Sequence, residues 1–456
     1  MRNLALWFVV LSLSLCGWSG GVAGESRVVL VTIDGFPARM FWDAKTPIPV
    51  IRQLAAEGAA AEGMRVSNPT VTWPNHTTLV TGVRAARHSV LYNGKLVRGG
   101  PGLPVRVEPG RDKSELVSVP TLYDVLHRAG LRTAAIDWPC TRNTDSLDDN
   151  FPDVPEGVRY TTALLRQELV SERVLRDEMD ASFRKMTGPE RDEAWTEAAC
   201  HVIRARRPHL LLLHLLNTDS VNHRYGPQSP ESYAALALAD RCVGQLLKAL
   251  EAADIRESTT VFLVADHGFA TATKVLLPNA LFRRAGLLEI DDSKRITAAR
   301  AMVVPEGGTG MIYLTDPKTR EADRRRVIEL LAGKEGVSEV VGVDRYASLG
   351  LPSPEMNSGM ADLVMAAGDG YALAGDATAD EFVKPVTGGM NRGYHGYLAS
   401  NPKMNAVFIA SGRSIRRGVR LGLVDNIDVA PTMARLLGHE LAGAEGKVIS
   451  GILSSP

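Results

Sequence analysis

The sequence is poor in cysteine and in aromatic residues, and it has no excess of charge of either sign. Four cysteines in 456 residues are too few for a disulfide scaffold. If Cys16 leaves with an N-terminal leader, an odd number remains, Cys140, Cys200 and Cys242, so at least one thiol is free or intermolecular. We expect at least one to be a buried structural cysteine. The 52 basic residues equal the 52 acidic ones, which gives no support to a nucleic-acid-binding surface.

The chain also lacks a transmembrane run beyond its first 24 residues. Those residues have the pattern of a secretory signal peptide: Arg2, an apolar stretch over 4–15, then small residues before Glu25. An uncleaved anchor is the alternative. Lipidation at Cys16 is disfavoured, because the bulky Leu15 stands where a small residue is expected. The pattern predicts a periplasmic or secreted protein.

Strand-like and helix-like segments alternate along the remaining chain. Short apolar runs predict buried strands at 27–32, 133–136, 210–216, 260–264 and 406–409. Amphipathic spacing predicts helices at 48–56, 74–80, 121–129, 191–206, 233–250 and 429–437. This alternation predicts an α/β fold, a sandwich around a mostly parallel sheet.

The stretch 271–392 breaks this rhythm. It contains paired glycines, a charged helical segment near 321–331 and a β-like run at 311–314. We interpret it as an inserted α/β cap subdomain. The catalytic domain is then formed by residues 25–270 and 393–456.

Acidic residues follow three of the predicted strands. Asp34, Asp219 and Asp266 each come at or just after the end of an apolar run. Ligands of open α/β sheets bind beyond the carboxyl ends of the strands, so these side chains are expected at one edge. Each aspartate alone is more simply a turn former or helix cap, but three equivalent positions favour a site.

Histidines accompany these carboxylates. His223 lies four residues after Asp219, on the same face if the segment is helical. His267 follows Asp266, with Gly268 allowing a tight turn, and His395 lies between glycines. Alone, His395 would be a packed loop residue. Mixed aspartate and histidine ligands favour zinc, with manganese or iron as alternatives.

A hydroxyl nucleophile candidate is Thr72, just before Pro74 at the start of a predicted helix. The simpler interpretation is a helix-capping threonine. At a helix N-terminus beside a cation, however, an alkoxide and an anionic phosphate are both stabilised.

Five segments resemble motifs of the nucleotide pyrophosphatase/phosphodiesterases of the alkaline phosphatase superfamily: VTIDGF, NPTVTWPNHTTLVTG, NTDSVNHRYGP, VADHG and GYHGY. The resemblance extends from about Arg27 to Leu437. It implies an alkaline-phosphatase-like three-layer α/β/α sandwich and Thr72 as covalent nucleophile. It also implies two zinc ions, one held by Asp34, Thr72, Asp266 and His267 and the other by Asp219, His223 and His395.

Three further residues bear on the substrate. Asn93 matches the family's donor to a phosphoryl oxygen, although Asn93-Gly94 alone reads as a turn. Trp73 stands where the family usually has phenylalanine and is a candidate for stacking on a substrate, or a core residue. Arg142 follows the 133–136 strand and could hold the second charge of a phosphomonoester, or be a solvated loop residue.

These features predict an exported two-zinc hydrolase of small phosphodiesters or phosphoanhydrides that works through a phospho-threonine. Two divalent cations are offset by three carboxylates and one alkoxide, a balance that suits a singly charged diester. Phosphomonoesterase and phosphonate hydrolase activities are alternatives. Sulfatase activity is disfavoured, because no formylglycine motif is present. The non-enzymatic alternative is an exported binding protein with a vestigial metal site.

Overall fold

An eight-stranded sheet forms the centre of the molecule. A computed structural model describes residues 26–454, so the predicted signal peptide lies outside the described residues. In chain order, the strands are β1 (Arg27–Ile33), β2 (Ala59–Arg65), β3 (Thr133–Trp138), β4 (Asp149–Pro152), β5 (Leu210–Leu215), β6 (Thr259–Val264), β7 (Phe408–Gly412) and β8 (Val419–Asp425). Their spatial order is β8-β2-β7-β6-β1-β5-β3-β4.

The sheet is mostly parallel, as the sequence predicts. β1 runs parallel to both β5 and β6, with Leu30 opposite Leu212 and Phe262, and only β7 runs antiparallel to its neighbours. The central strands are buried along almost their whole length, which explains their continuous apolar runs. The five predicted strands are all present. The alanine-rich β2 is not predicted, because alanine has low β-propensity.

Helices cover both faces of the sheet. Pro49–Ala56, Gly188–Arg206 and Pro230–Ala252 pack together on one face, and Thr72–Thr81, Leu122–Arg128 and Val429–Leu436 form a second group. The two longest helices begin at side-chain caps, Thr187 with Glu190 in a capping box and Ser229 alone. The result is an α/β/α sandwich, which confirms the predicted fold class. No helix among residues 26–454 is long and apolar enough to cross a membrane.

The predicted cap segment contains a sheet of its own. Ala301–Pro305, Thr309–Leu314, Leu363–Ala367 and Val337–Val341 are antiparallel in that spatial order, and the helix Arg320–Leu331 contacts this sheet. A three-stranded sheet joins Tyr371–Leu373, Lys274–Leu276 and Val383–Pro385. The predicted strand at 311–314 and charged helix at 321–331 are both present within these elements.

Short elements complete the chain. The two-stranded sheets pair Lys95–Val97 with Arg106–Glu108, Leu288–Ile290 with Ile296–Ala299, and Ala270–Thr271 with Gly393–Tyr394. The remaining α-helices are Ala38–Trp42, Ala85–His88, Lys113–Leu116, Gly157–Tyr160, Ala163–Ser171, Asp180–Arg184, Asn217–Tyr225 and Pro278–Arg284.

The three cysteines of the described chain are free and buried. Burial raises the pKa of the Cys140 and Cys200 thiols to about 12 and that of Cys242 to about 11. Neutral buried thiols behave as small apolar side chains. The expectation of buried structural cysteine is therefore met by all three.

His88 makes stability depend on pH. Its Nδ1 accepts from the Val90 N–H (3.1 Å), its Nε2 faces Thr78 Oγ1 (3.1 Å), and burial lowers its pKa to about 3. The unfolded chain binds a proton near pH 6.5 and the folded chain does not, so stability is lost as pH falls below 6.5. Between pH 7 and pH 5 this residue should cost about 2 kcal/mol of unfolding free energy.

Urea unfolding of wild type and His88→Asn at both pH values measures this cost. Asparagine retains an acceptor for the Val90 N–H but cannot ionise. The decrease in unfolding free energy between pH 7 and pH 5 should therefore be about 2 kcal/mol smaller in His88→Asn than in wild type. An equal loss in both proteins would contradict the assignment.

Candidate metal and phosphoryl-transfer site

The carboxyl ends of β1, β5 and β6 meet at one edge of the sheet, as the sequence predicts. Asp34 follows β1, and its backbone N–H donates to the Leu215 carbonyl at the end of β5 (2.9 Å). Asp219 lies in the first turn of the helix Asn217–Tyr225 after β5, and Asp266 follows β6. Adjacent strands thus bring residues from three distant parts of the chain together.

Asp34, Asp266 and His267 form the first ligand group. His267 Nε2 lies 3.4 Å from Asp34 Oδ1 and 3.2 Å from Asp266 Oδ2, and all three side chains are fully buried. The other Asp266 oxygen, Oδ1, accepts from the backbone N–H groups of Gly35 (3.1 Å) and His267 (3.0 Å). The hydrogen bonds to Oδ1 therefore fix the Asp266 carboxylate, and Oδ2 faces His267 Nε2.

Asp219, His223 and His395 form the second ligand group. Asp219 Oδ1 lies 3.5 Å from His223 Nε2 and 3.8 Å from His395 Nε2. His395 reaches the site because Gly393–Tyr394 pairs with Ala270–Thr271, just beyond Asp266 and His267. The two groups adjoin: the rings of His267 and His395 stack with centroids 3.8 Å apart.

Backbone carbonyls orient all three ligand histidines. The Nδ1 atoms of His267, His223 and His395 lie 3.2, 3.0 and 3.0 Å from the carbonyls of Gly268, Gly393 and Thr70. A carbonyl only accepts, so each Nδ1 carries the proton and each Nε2 lone pair faces its group. This arrangement is typical of metal-binding histidines.

Gly268 permits a close approach rather than an unusual backbone angle. A Cβ there would lie 2.1 Å from the Lys403 carbonyl, and its φ is not in the positive region. The predicted need for glycine after His267 is met, but its cause is crowding by a neighbouring loop.

The atoms that converge are the ones without other partners. Asp34 Oδ1, Asp266 Oδ2, Asp219 Oδ1 and His267 Nε2 are buried and have no hydrogen bond. Buried polar atoms in folded proteins rarely lack a hydrogen bond, and each such atom lowers the folding stability by about 1–3 kcal/mol. A divalent cation in each group would satisfy them, so the residues fit the predicted metals.

Burial also makes the charges of the bare protein unfavourable. Burial raises the pKa of Asp34, and repulsion from Asp219 is the second cause of this rise. Burial likewise raises the pKa of Asp266, and repulsion from Asp34 is the second cause. Burial lowers the pKa of His267 and brings that of His395 to about 4. Cations would favour ionised carboxylates and neutral imidazoles, the forms that bind metal.

Two buried histidines support the site and were not predicted from the sequence. His214 Nδ1 lies 2.9 Å from the Asp137 carbonyl and its Nε2 lies 3.0 Å from Asp34 Oδ2. His76 Nδ1 lies 2.9 Å from the Thr72 carbonyl, and its Nε2 lies 2.8 Å from Thr32 Oγ1. His76 could have been noticed from its spacing of four residues after Thr72, whereas His214 is hidden inside the apolar run of β5.

Thr72 is the first residue of the helix Thr72–Thr81. The N-cap residue is Val71, and no side chain caps this end, so Thr72 is not the cap that the simpler interpretation assumes. Thr72 lines the same cavity as Asp219, His223 and His395. Asn93 also lines it, and its Oδ1 accepts from the Trp73 N–H (2.9 Å), which leaves its amide N–H groups for a ligand.

Trp73 and Arg142 differ in their relation to the cavity. Trp73 lines it but is only 4% exposed, packs with Val90, Leu116 and Cys140, and donates from Nε1 to Asp153 Oδ2 (2.9 Å). The structure does not bring Arg142 to this cavity. Its guanidinium binds Asp112 (2.8 Å) and the Gly110 carbonyl and lies 4.0 Å from the Tyr160 ring centroid.

The cavity has a volume of about 540 Å³, and its far wall was not predicted. That wall includes Phe151, Phe183 and Trp195, whose rings pack at 5.4 and 5.5 Å between centroids, and the basic residues Arg184 and Arg191. Two basic side chains therefore line the cavity. Arg184 comes from a five-residue helix that is not predicted from the sequence, whereas Arg191 lies at the start of the predicted helix 191–206.

Comparison with known proteins identifies the family. The family model for type I phosphodiesterase / nucleotide pyrophosphatase matches residues 28–398. The chain belongs to this family. The predicted resemblance is thereby confirmed, and with it a phosphodiesterase/pyrophosphatase hydrolase class.

Similar proteins agree with the type I phosphodiesterase assignment. Human ectonucleotide pyrophosphatase/phosphodiesterase family member 7 is 25% identical over 425 residues, 91% of this chain and 80% of that protein. An uncharacterised pyrophosphatase/phosphodiesterase of Schizosaccharomyces pombe is 24% identical over 91% of this chain and 77% of its own length. Venom phosphodiesterase 2 of Crotalus adamanteus is 26% identical over 54% of this chain, which spans about a quarter (27%) of that protein.

A solved structure shows the same fold. Murine ectonucleotide pyrophosphatase/phosphodiesterase 5, an inactive variant in complex with AMP, superposes with a TM-score of 0.70 at 20% identity and covers 94% of this chain and 100% of its own. The alkaline-phosphatase-like fold is therefore shared by this member of the family.

Proposed function

We propose that the protein is an exported two-zinc phosphodiesterase that acts through a phospho-threonine. The observation that carries this proposal is the placing of Thr72, Asn93 and the second ligand group around one cavity. The first group adjoins the second through the stacked rings of His267 and His395. When bound, two divalent ions would supply Lewis-acid stabilisation of charge on the reacting oxygens. Export rests on the signal-peptide pattern of residues 1–24.

The residues have separate tasks. Thr72 gives up its hydroxyl proton, its Oγ attacks phosphorus and the bond to the leaving oxygen breaks. The leaving oxygen takes up a proton, and an alcohol or phosphate is released. Water then cleaves the P–Oγ bond, restores the Thr72 hydroxyl and releases a phosphomonoester. Asp34, Asp266 and His267 would hold the ion beside Thr72, and Asp219, His223 and His395 the other. Asn93 donates from its amide to a phosphoryl oxygen.

A diester fits this charge pattern better than a monoester. Two divalent ions are balanced by three carboxylates and the Thr72 alkoxide, so little positive charge remains for a dianion. Arg142, the residue that favoured a monoesterase, binds Asp112 and Gly110 instead of facing the cavity. A small phosphate ester is the expected substrate, and AMP in the murine relative shows that a nucleotide fits that related fold.

Turnover of paired substrates tests this proposal. With zinc present, bis-p-nitrophenyl phosphate should give a kcat/KM at least about 10-fold above that of p-nitrophenyl phosphate. The reverse preference would favour the phosphomonoesterase alternative. Turnover of p-nitrophenyl phenylphosphonate alone would favour phosphonate hydrolysis, and no turnover of any ester would favour the vestigial site.

A further inference from the structure

A second, smaller chamber adjoins the candidate metal site. It has a volume of about 240 Å³ and shares Asn93, His223 and His395 with the 540 Å³ cavity. The shared residues include two ligands of the second group and the proposed phosphoryl donor, so phosphorus would lie between the chambers. A phosphodiester carries two organic substituents, and the site offers two spaces.

The position of Thr72 distinguishes the chambers. Thr72 and Asp219 line the large cavity, but neither is among the residues that line the small chamber. In an in-line displacement the leaving oxygen departs on the side opposite the nucleophile. Val71, the residue before Thr72, lines the small chamber, but Thr72 itself does not. This difference assigns the small chamber to the leaving group and the large cavity to the substituent retained on the phospho-threonine.

Apart from Asn93, Glu306 and the two histidines, the walls of the small chamber are apolar or already hydrogen-bonded. Val71, Pro305 and Leu373 contribute apolar surface. The Tyr92 hydroxyl donates to the Pro305 carbonyl (2.9 Å) and the Tyr394 hydroxyl to the Asn391 carbonyl (3.2 Å), so both present their rings. At 240 Å³ the chamber is below the roughly 300–1,000 Å³ of pockets for drug-sized ligands.

Glu306 is the one carboxylic side chain of this chamber, and its lining contains no lysine or arginine. The Thr309 hydroxyl lies 2.7 Å from both the Glu306 Oε2 and the Gly396 carbonyl. The Thr309 hydroxyl donates, and it is shared between these two acceptors. Glu306 Oε1 has no hydrogen-bond partner and can accept one. In either protonation state Glu306 offers no positive charge.

We propose that the small chamber is a leaving-group subsite that accepts small uncharged or cationic alcohols and disfavours phosphate and pyrophosphate. This inference rests on the proposed phosphodiesterase function. A polyanionic leaving group would exchange water for apolar walls and a carboxyl group without any basic side chain to balance it. The large cavity is lined by Arg184 and Arg191 together with Asp137, Asp153, Asp180 and Asp219, so it offers basic side chains that the small chamber lacks.

Two substrates with the same retained group test the proposal. The p-nitrophenyl ester of thymidine 5′-monophosphate and thymidine 5′-triphosphate both leave thymidine monophosphate on Thr72 but release p-nitrophenol or pyrophosphate. The wild-type kcat/KM for the ester should exceed that for the triphosphate by at least about 100-fold. Leu373→Lys, which places a cation in the chamber, should reduce this ratio about 10-fold or more.

Leu373→Met is the matched control, similar in size and without charge, and it should keep the wild-type ratio. Equal wild-type kcat/KM values for the ester and the triphosphate would overturn the proposal. The same ester-to-triphosphate ratio of kcat/KM in the Lys and Met variants would also overturn it. If the Lys variant does not fold, Leu373→Ala provides the second test. It should raise kcat/KM for a 1-naphthyl ester relative to the p-nitrophenyl ester about 5-fold, and an unchanged preference would also overturn it. Failure to cleave both thymidine substrates and bis-p-nitrophenyl phosphate would instead reject the phosphodiesterase function.

Discussion

Replacement of Thr72 by alanine should reduce kcat for a diester by at least about 10³-fold, because no other hydroxyl is placed to attack phosphorus from the start of this helix. Thr72→Ser should retain measurable turnover, since it restores a hydroxyl at the same Cβ. Single-turnover assays with a chromogenic diester measure both. Rapid acid quenching of the wild type should also trap phosphorus covalently on the peptide that contains residue 72.

Thr81→Ala is a suitable control for Thr72→Ala. Thr81 is buried in the same helix, and its hydroxyl donates to the Thr77 carbonyl within that helix (2.7 Å), away from the ligand groups. Its loss should leave kcat within about 3-fold of wild type. Equal activity of Thr72→Ala and Thr81→Ala would exclude the proposed nucleophile.

Removal of metal should abolish diester hydrolysis and destabilise the fold. Dialysis against a chelator should lower kcat/KM by at least about 10³-fold, and added zinc should restore it. The chelated protein should also melt several degrees lower, because Asp34, Asp219 and Asp266 would each keep a buried oxygen without a partner. Full activity after chelation, with metal loss verified, would contradict a metal-dependent mechanism.

The candidate ligand residues could be picked out from the sequence because each stands next to a recognisable element. Asp34, Asp219 and Asp266 follow apolar strands, and parallel strands must end at a common edge. His395 was less accessible to such reasoning, since its approach depends on a two-residue strand pairing beside Asp266. The resemblance to family motifs, rather than periodicity, identified it.

The walls of the cavity could not be predicted in the same way. Residues 149–184 form a short strand and short helices without clear periodicity, and Phe183 and Arg184 lie on a five-residue helix. Arg142 was considered for substrate binding from its place after β3, but a turn directs it toward Asp112 instead. Side-chain direction in a loop depends on tertiary contacts that a single sequence does not reveal.

The boundaries of the small chamber likewise depend on long-range packing. Glu306 and Leu373 belong to the predicted cap, and neither occurs in a motif. Gly308 donates its N–H to the His395 carbonyl (2.8 Å), so the turn between Ala301–Pro305 and Thr309–Leu314 contacts the backbone of the second group directly. A cap was predicted, but its contribution to the walls of the site was not.

Metal stoichiometry tests the central claim most directly. Elemental analysis of the purified protein after saturation with zinc and removal of free ion should give two zinc per chain. Asp266→Asn and Asp219→Asn should each give about one, because each variant disables one ligand group and leaves the other. One zinc or less in the wild type, or two zinc retained by both variants, would contradict the two-group account.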